Sequence, residues 1–161
     1  MAELFLSENI ESVGLISVSS QMENFAMAGN ILVSTDKNKL DLALIHDYIS
    51  NQSYWGKDRT IEQVKTTIEQ SICFGVYVND IQVAFARVVT DTISFAYLLD
   101  VIVFPKYRKC GYSKLLMQSI MEHEHLQTVS WLLRTDDAQK LYAKFGFSTI
   151  ETPENFMRKT A

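Results

Sequence analysis

Apolar residues near the start of the chain first follow strand-like and then helical spacing. Residues 31–34 are apolar enough to form a short leading strand. After potential helix caps at residues 34–36, a first helix through Ser50 is indicated by an apolar face of Leu42, Ile45 and Ile49. Thr60 and Gln63 form a capping-box pattern, and the second helix that it starts has an apolar face of Ile61, Val64 and Ile68. The pattern predicts one strand followed by two helices.

A β-hairpin is predicted next. Residues 72–78 and 81–89 are rich in β-branched and aromatic side chains. Only Asn79 and Asp80 separate them, which is typical of a two-residue hairpin turn. A third strand over residues 93–103 follows after a polar turn.

The second half of the chain alternates again between helix and strand. A helix from about Gly111 to Glu124 precedes a strand at 128–134. A last helix carries Ala138, Leu141, Tyr142 and Phe145 at helical spacing, and Gly146 ends it. Residues 147–150 and 156–158 are read as short terminal strands. The fold class is therefore α/β (α+β), in the order β-α-α-β-β-β-α-β-α-β-β.

Length and composition indicate one domain without disulfide bonds. The chain has 161 residues and is 47% hydrophobic, which is enough for a sizeable core. We assign residues 1–30 to an N-terminal extension, with an added strand, a homodimer contact or a partly ordered arm as its open roles, and residues 31–161 to a single domain. Cys73 and Cys110 lie far apart in sequence, which favours a reducing compartment.

Charge and hydropathy limit the location and the partners. Residues 1–36 contain no Lys or Arg, so they lack the basic region of a signal peptide, and no apolar run reaches membrane-spanning length. We expect a cytoplasmic protein that binds neither membranes nor nucleic acid, since the net charge is −4.

One segment has the features of an anion-binding site. The apolar run that ends at Phe104 is followed by Pro105 and then by the cations Lys106, Arg108 and Lys109. Gly111 then starts a helix, where unpaired N–H groups and the helix dipole favour negative charge. The alternative is a solvated basic turn. With a glycine opening an amphipathic helix, phosphate binding is the preferred interpretation.

Two motifs in this order resemble the GNAT acyltransferase superfamily. Residues 108–113 (RKCGYS) resemble its pyrophosphate loop Q/R-x-x-G-x-G/A, with Ser113 in place of the last small residue. Residues 135–147 keep all of N-x-x-A-x-x-L-Y-x-x-x-G-F except the asparagine, which is Thr135. The resemblance covers residues 31–158. It implies a mixed, mostly antiparallel central sheet flanked by helices, and transfer of an acyl group from coenzyme A to an amine.

The resemblance also implies an acetyl-CoA site. The pantetheine arm would pair with the backbone of the strand before the loop, and the loop would surround the pyrophosphate. The implied contacts are Val101, Ile102, Val103, Arg108, Lys109, Cys110, Gly111, Tyr112, Ser113 and Thr135. His123 and His125 offer ligand atoms, but two histidines that are two residues apart on a helix point to different faces, so we predict no metal site.

Two residues are candidates for proton transfer. The resemblance implies that Tyr142 returns a proton to the departing thiolate, although a half-buried structural tyrosine is the alternative. Asp100 is the only acid within residues 93–103, and relatives place a carboxylate, or a water held by one, on this strand. Asp100 is therefore either the general base or a hydrogen-bonded residue at a strand bulge, and the sequence leaves both open.

The resemblance implies that the acceptor amine binds near the first two helices and their linker. Tyr54 and Trp55 are adjacent aromatics in this linker, where they form either a pocket wall or a plug of the core. Tyr97 is a further lining candidate. Arg87 either holds an acceptor carboxylate or pairs with Asp100 or Asp91.

The predicted function is direct transfer of an acetyl group from acetyl-CoA to a small-molecule or peptide amine within a ternary complex. The alternative is a non-catalytic module on the same fold that binds acyl-CoA or a protein. The departures at Ser113 and Thr135 support that alternative.

Overall fold

The computed structural model describes residues 29–159, so most of the predicted N-terminal extension lies outside the described residues. Five strands form the sheet: β1 (Ile31–Ser34), β2 (Ile72–Val78), β3 (Ile81–Thr90), β4 (Phe95–Val103) and β5 (Ser130–Leu133). Four α-helices flank it: α1 (Leu42–Asp47), α2 (Ile61–Glu69), α3 (Tyr112–Met121) and α4 (Gln139–Tyr142). None of these helices has the length and apolar character needed to cross a membrane.

The strands are ordered β1-β2-β3-β4-β5, and each pair is antiparallel except the parallel β4–β5 pair. This confirms the mixed, mostly antiparallel sheet. The predicted hairpin is also present: Asn79 and Asp80 connect β2 and β3 with φ of 48° and 64°. Positive φ at both central residues matches the twist of a two-residue hairpin.

Each face of the sheet is covered by different helices. One core contains buried residues of α3, including Leu116, Met117 and Ile120. The other core packs α1 and α2 against the opposite face through Ile45, Val64, Phe85 and Ile102. Helix α2 begins where predicted, since the capping box of Thr60 and Gln63 is formed in both directions.

The predicted element bounds were wrong in several places. Helix α1 is capped by Asp41, whereas Asp36, one of the predicted caps, starts a separate 3₁₀ turn over Lys37–Lys39. The first helix changes at Tyr48 into a π-helical turn that ends at Gln52, and α3 ends at Met121 rather than near residue 124. The terminal strands at 147–150 and 156–158 do not form in the described part of the chain. A strand requires a neighbour for its backbone hydrogen bonds, and β5 pairs only with β4 among these residues. Apolar sequence alone therefore misidentified these segments.

Candidate active site

Strand β4 has a free edge on its β5 side. The parallel pairing with β5 covers only Phe95 to Leu98, whereas β4 continues to Val103. In the described part of the chain, residues 99–103 pair with a strand on one side only, that of β3, so their other edge offers backbone N–H and C=O groups. The Val103 carbonyl also accepts from the side chain of Arg108. The predicted pantetheine contacts Val101, Ile102 and Val103 all lie on this stretch.

A β-bulge lies at the start of the free edge. Arg87 of β3 pairs with Leu99 and Phe85 pairs with Ile102, so β4 has an extra residue here. Asp100 adopts a φ of 48°, a left-handed conformation that aspartate tolerates better than most residues. The bulge changes which face the side chains occupy: Leu98 belongs to the α3 core and Ile102 to the α1–α2 core.

The loop after β4 leads directly into α3. Residues 108–111 are exposed, and Gly111 is the N-cap of α3 with a φ of 83°. Lys109 is also left-handed, with a φ of 64°. The N-terminus of a helix favours negative charge, so this loop is a candidate anion site. The residues predicted to surround the pyrophosphate, Lys109, Cys110, Gly111, Tyr112 and Ser113, lie in this loop and in the first turn of α3.

Arg108 uses its side chain differently from the expectation. Its Nε donates to the carbonyl oxygen of Val103 at 3.2 Å, and its Nη2 donates to the hydroxyl of Tyr48 at 2.7 Å. The guanidinium is therefore directed toward the π-helical turn. It ties the loop to the end of α1, and its contribution to anion binding is limited to its charge.

Thr135 supports the start of α4 with its side chain. Its hydroxyl accepts a hydrogen bond from the backbone N–H of Ala138 at 3.0 Å, immediately before α4. The residue that replaces the motif asparagine thus supports the helix that carries Tyr142. Its side-chain oxygen can accept further bonds, since a hydroxyl has two lone pairs.

Tyr142 is buried beside the end of α4. Only 8% of the residue is exposed, and its ring packs edge-on against Phe147 at 6.0 Å. Burial raises the pKa of Tyr142 to about 12, with smaller contributions from Tyr54 and Asp137. The phenol is consequently protonated at neutral pH and available as a donor.

Asp100 is the centre of a buried polar cluster. Its Oδ2 accepts from Nε of Arg87 at 2.6 Å, and its Oδ1 accepts from the indole N–H of Trp55 at 3.0 Å. Nη1 of Arg59 lies 3.6 Å from the same Oδ2. Of the alternatives for Arg87, the ion pair with Asp100 is the one observed. Both carboxylate oxygens are engaged by protein donors.

Aromatic side chains of the linker border this cluster. Tyr54 packs edge-on against Trp55 at 4.9 Å, and its hydroxyl accepts from the backbone N–H of Asp136 at 3.4 Å. The linker thus reaches the loop after β5. Tyr97 is half-buried on β4 and stacks with Phe95, with ring centroids 6.4 Å apart. Trp55 is therefore in direct contact with Asp100, whereas no such contact is seen for Tyr97.

Sequence reasoning missed two residues of the site. Arg59 contacts Asp100, and Tyr48 binds Arg108. Arg59 lies in the same linker as Tyr54 and Trp55. A positive charge next to these aromatic residues was the one feature of the sequence that could have indicated its place in the site. Nothing in the local pattern distinguishes Tyr48 from a core tyrosine.

A groove of about 460 Å³ lies between α3 and α4. Ser113 and Lys114 of the first turn of α3 line one side, and Leu141, Lys144 and Phe145 line the other. The groove therefore continues from the anion-binding loop. It provides apolar surface and two lysines next to the helix start.

The two histidines considered as ligands were placed on the wrong element. His123 and His125 follow α3 in a 3₁₀ turn, and their rings are 5.6 Å apart rather than on opposite faces. Within residues 29–159, no group of three or more His, Cys, Asp or Glu side chains has a metal-binding arrangement.

Comparison with known proteins decides the family. The family model described as an acetyltransferase (GNAT) domain matches residues 69–149, which include the free edge of β4, the loop and Tyr142. This chain belongs to the GNAT acetyltransferase family. A crystal structure from Xanthomonas campestris pv. campestris, of a protein assigned to the GNAT family, is 43% identical, covers 83% of this chain and 95% of its own, and superposes with a TM-score of 0.80.

Further relatives agree with the assignment. A Gibberella zeae protein assigned as an acetyltransferase is 29% identical over 139 residues, which is 72% of this chain and 77% of the relative. A Staphylococcus aureus structure has a TM-score of 0.64 at 23% identity, covers 82% of this chain and all of its own, and supports the fold alone. The GNAT fold and the acetyltransferase family are thus confirmed.

Proposed function

We propose that this GNAT protein is an acetyl-CoA-dependent N-acetyltransferase that transfers the acetyl group directly to an amine in a ternary complex. The observation that carries the proposal is the arrangement at the end of β4. The edge of residues 99–103, which has no strand partner among residues 29–159, leads into a glycine-capped helix start. An extended pantetheine arm can pair with this strand edge, and a pyrophosphate can bind at the helix start.

Backbone groups provide most of the proposed cofactor site. The N–H and C=O groups of Val101 to Val103 would bind the amides of pantetheine, and the loop of Lys109 to Ser113 would bind the pyrophosphate. The groove between α3 and α4 would accept part of the nucleotide, because Lys114 and Lys144 line it. Arg108 would act by fixing the loop to Tyr48.

Tyr142 is the proposed donor to the leaving sulfur. A thiolate with an ordinary pKa near 8.5 is less basic than a phenolate whose pKa is about 12, so the phenol would stabilise the sulfur mainly by donating a hydrogen bond. Acetyl-CoA supplies the activated acetyl group. The amine nitrogen attacks its carbonyl carbon, the carbon–sulfur bond breaks, and one proton of the nitrogen is released to solvent or sulfur.

Asp100 is proposed as a positioning residue rather than the general base. The motivation is that both of its oxygens already accept hydrogen bonds from Arg87 and Trp55. It would hold Trp55 and Arg59 beside the start of the free β4 edge, where the acetyl group would lie.

The proposal is tested by measuring thiol release from acetyl-CoA with a panel of amines. The panel contains polyamines, aromatic amines, amino acids, aminoglycosides and peptide N-termini. Amine-dependent thiol release and a kinetic pattern of ternary-complex type are expected. Acetyl-CoA binding without turnover of any amine would favour the non-catalytic alternative instead.

A further inference from the structure

The cluster around Asp100 contains two guanidinium groups and one carboxylate. Arg87 and Arg59 lie 2.6 Å and 3.6 Å from the same Oδ2. No other carboxylate within residues 29–159 lies within ion-pair distance of either arginine. The cluster therefore carries one uncompensated positive charge.

The two arginines differ in how well their donors are satisfied. Arg87 is only 6% exposed, donates to Asp100 and also donates from Nη1 to the hydroxyl of Ser71 at 3.3 Å. Nη1 of Arg59 is buried and has no hydrogen-bond partner. The Arg59 side chain as a whole is 32% exposed, so a ligand can reach it from solvent.

The backbone fixes Arg59 before any ligand binds. Its N–H donates to the carbonyl of Gly56 at 3.2 Å, and its own carbonyl oxygen lies 3.0 Å from Nε2 of His46. The linker is also tightly packed, because a Cβ at Gly56 would lie 2.4 Å from Cγ2 of Ile49. Because the ion pair with Asp100 also restrains the side chain, Arg59 loses less conformational freedom on binding an anion than a freely exposed arginine would.

A guanidinium nitrogen that makes no hydrogen bond, its nearest partner being Oδ2 of Asp100 at 3.6 Å, and one surplus charge identify the kind of ligand. Buried donors in native proteins are nearly always satisfied, and a buried charge is stabilised by a counter-ion. A carboxylate carries one negative charge and matches the planar fork of arginine. A phosphate group near neutral pH, with a charge of about −1.5 to −2, would exceed the surplus.

We infer that the acceptor is a small molecule that carries both an amine and a carboxylate, and that Arg59 binds the carboxylate. The inference rests on the proposed N-acetyltransferase function. Trp55 donates to the same Asp100 that pairs with Arg59, and it contacts Tyr54, so these two aromatic side chains would form the apolar wall of the acceptor site. The acceptor amine is thereby directed toward the free edge of β4, where its nitrogen replaces sulfur on the acetyl carbon and the proton that it loses passes to solvent or to the thiolate.

The experiment compares matched acceptors. Phenylalanine, leucine and alanine are each assayed against their carboxamides, and kcat/KM is measured by thiol release. The kcat/KM of each acid is expected to exceed that of its amide by about 10- to 100-fold, which corresponds to one charge-assisted hydrogen-bonded pair. Equal use of acids and amides would overturn the inference.

Arg59→Gln identifies the residue responsible. It should raise KM for the acids by about 10- to 100-fold, leave the amides almost unchanged, and be partly rescued by Arg59→Lys. Lys57→Gln removes a positive charge from the same linker, where the side chain is exposed, and should change neither series. Equal loss for acids and amides in Arg59→Gln would indicate only structural damage and would refute the assigned role.

Failure of the inference is distinguishable from failure of the proposed function. If amides and simple amines are acetylated with the same kcat/KM as the acids, the N-acetyltransferase function is confirmed and the carboxylate site is refuted. If no amine is acetylated, calorimetric titration of phenylalanine and phenylalaninamide into the acetyl-CoA complex decides the inference. The carboxylate site is supported if phenylalanine binds, phenylalaninamide does not, and Arg59→Gln no longer binds phenylalanine. Equal behaviour of phenylalanine and phenylalaninamide overturns the inference.

Discussion

Asp100 and Arg87 form a buried ion pair across the β3–β4 bulge, with Oδ2 of the carboxylate 2.6 Å from Nε of the guanidinium. The pair joins the one irregular residue of β4 to the regular strand beside it. Because Oδ1 of Asp100 also accepts from Trp55, the linker between α1 and α2 is attached to the same point. The shape of the candidate acceptor site therefore depends on one carboxylate.

Asp100→Asn should destabilise the protein without changing the form of its pH profile. Removing the charge leaves Arg87 and Arg59 without a counter-ion, which costs about 3 kcal/mol for a buried pair. Unfolding in urea measures the loss, and kcat/KM as a function of pH tests the role in catalysis. Recovery of activity at high pH, where the amine is already deprotonated, would instead identify Asp100 as the base.

The double variant Asp100→Asn with Arg87→Gln provides the stability control. If the ion pair acts as a unit, the double variant should be destabilised by much less than the sum of the single variants. Additive losses would mean that the two residues act independently.

Gly111→Glu should abolish acetyl-CoA binding. A side chain at this helix start would occupy the approach to the N–H groups and would place a negative charge beside the pyrophosphate. Gly146→Glu is a matched control, since Gly146 has a φ of 86° and its Cβ would meet nothing within 4 Å. Calorimetry should find acetyl-CoA binding lost in the first variant and retained in the second. Unchanged affinity in folded Gly111→Glu would refute the cofactor assignment.

Tyr142→Phe should lower kcat about 10- to 1000-fold while acetyl-CoA affinity stays nearly constant. The reason is that the phenol is expected to stabilise the sulfur as the thiolate departs, and not to hold acetyl-CoA before the reaction. Tyr77→Phe removes another buried phenol, whose hydroxyl has no hydrogen-bond partner, and should leave kcat unchanged. Wild-type turnover in Tyr142→Phe, measured by thiol release, would remove Tyr142 from the mechanism.

The protein should lose stability at alkaline pH before its buried tyrosines ionise. Burial raises the pKa of Tyr77 and of Tyr142 to about 12 and that of Cys73 to about 11. Below about pH 8.5 these groups are protonated in both states, so their full contribution is present. As the pH rises toward about 12, the unfolded chain releases protons that the folded protein keeps, and the free energy of unfolding falls.

Urea unfolding at a series of pH values tests this expectation. Tyr77→Phe removes one of the three groups, so its free energy of unfolding should fall less steeply above about pH 10 than that of the wild type. The same dependence in both proteins would show that Tyr77 ionises alike in the folded and unfolded states.

Local interactions account for what the sequence predicted correctly. The Asn79–Asp80 turn, the capping box at Thr60 and the left-handed Gly111 and Gly146 each depend on a few neighbouring residues. Such residues restrict their own backbone angles, so their positions were readable without a fold. The order of elements and the two motifs then indicated the family, which the comparisons confirm.

Long-range contacts decided which side chains meet in the candidate site and which apolar segments form strands. Arg59 meets Asp100 from 41 positions away, and Arg108 meets Tyr48 from 60 positions away, so no local pattern marks either pair. The apolar segment at 147–150 lacks a strand partner in the described chain, although its composition suits one. By itself the sequence determined the start of α2, the hairpin turn at Asn79–Asp80 and the glycine-capped start of α3, because these depend on neighbouring residues. Only the packing of α1 and α2 on the sheet decided that two arginines share Asp100, because side chains distant in sequence meet only when the core is formed.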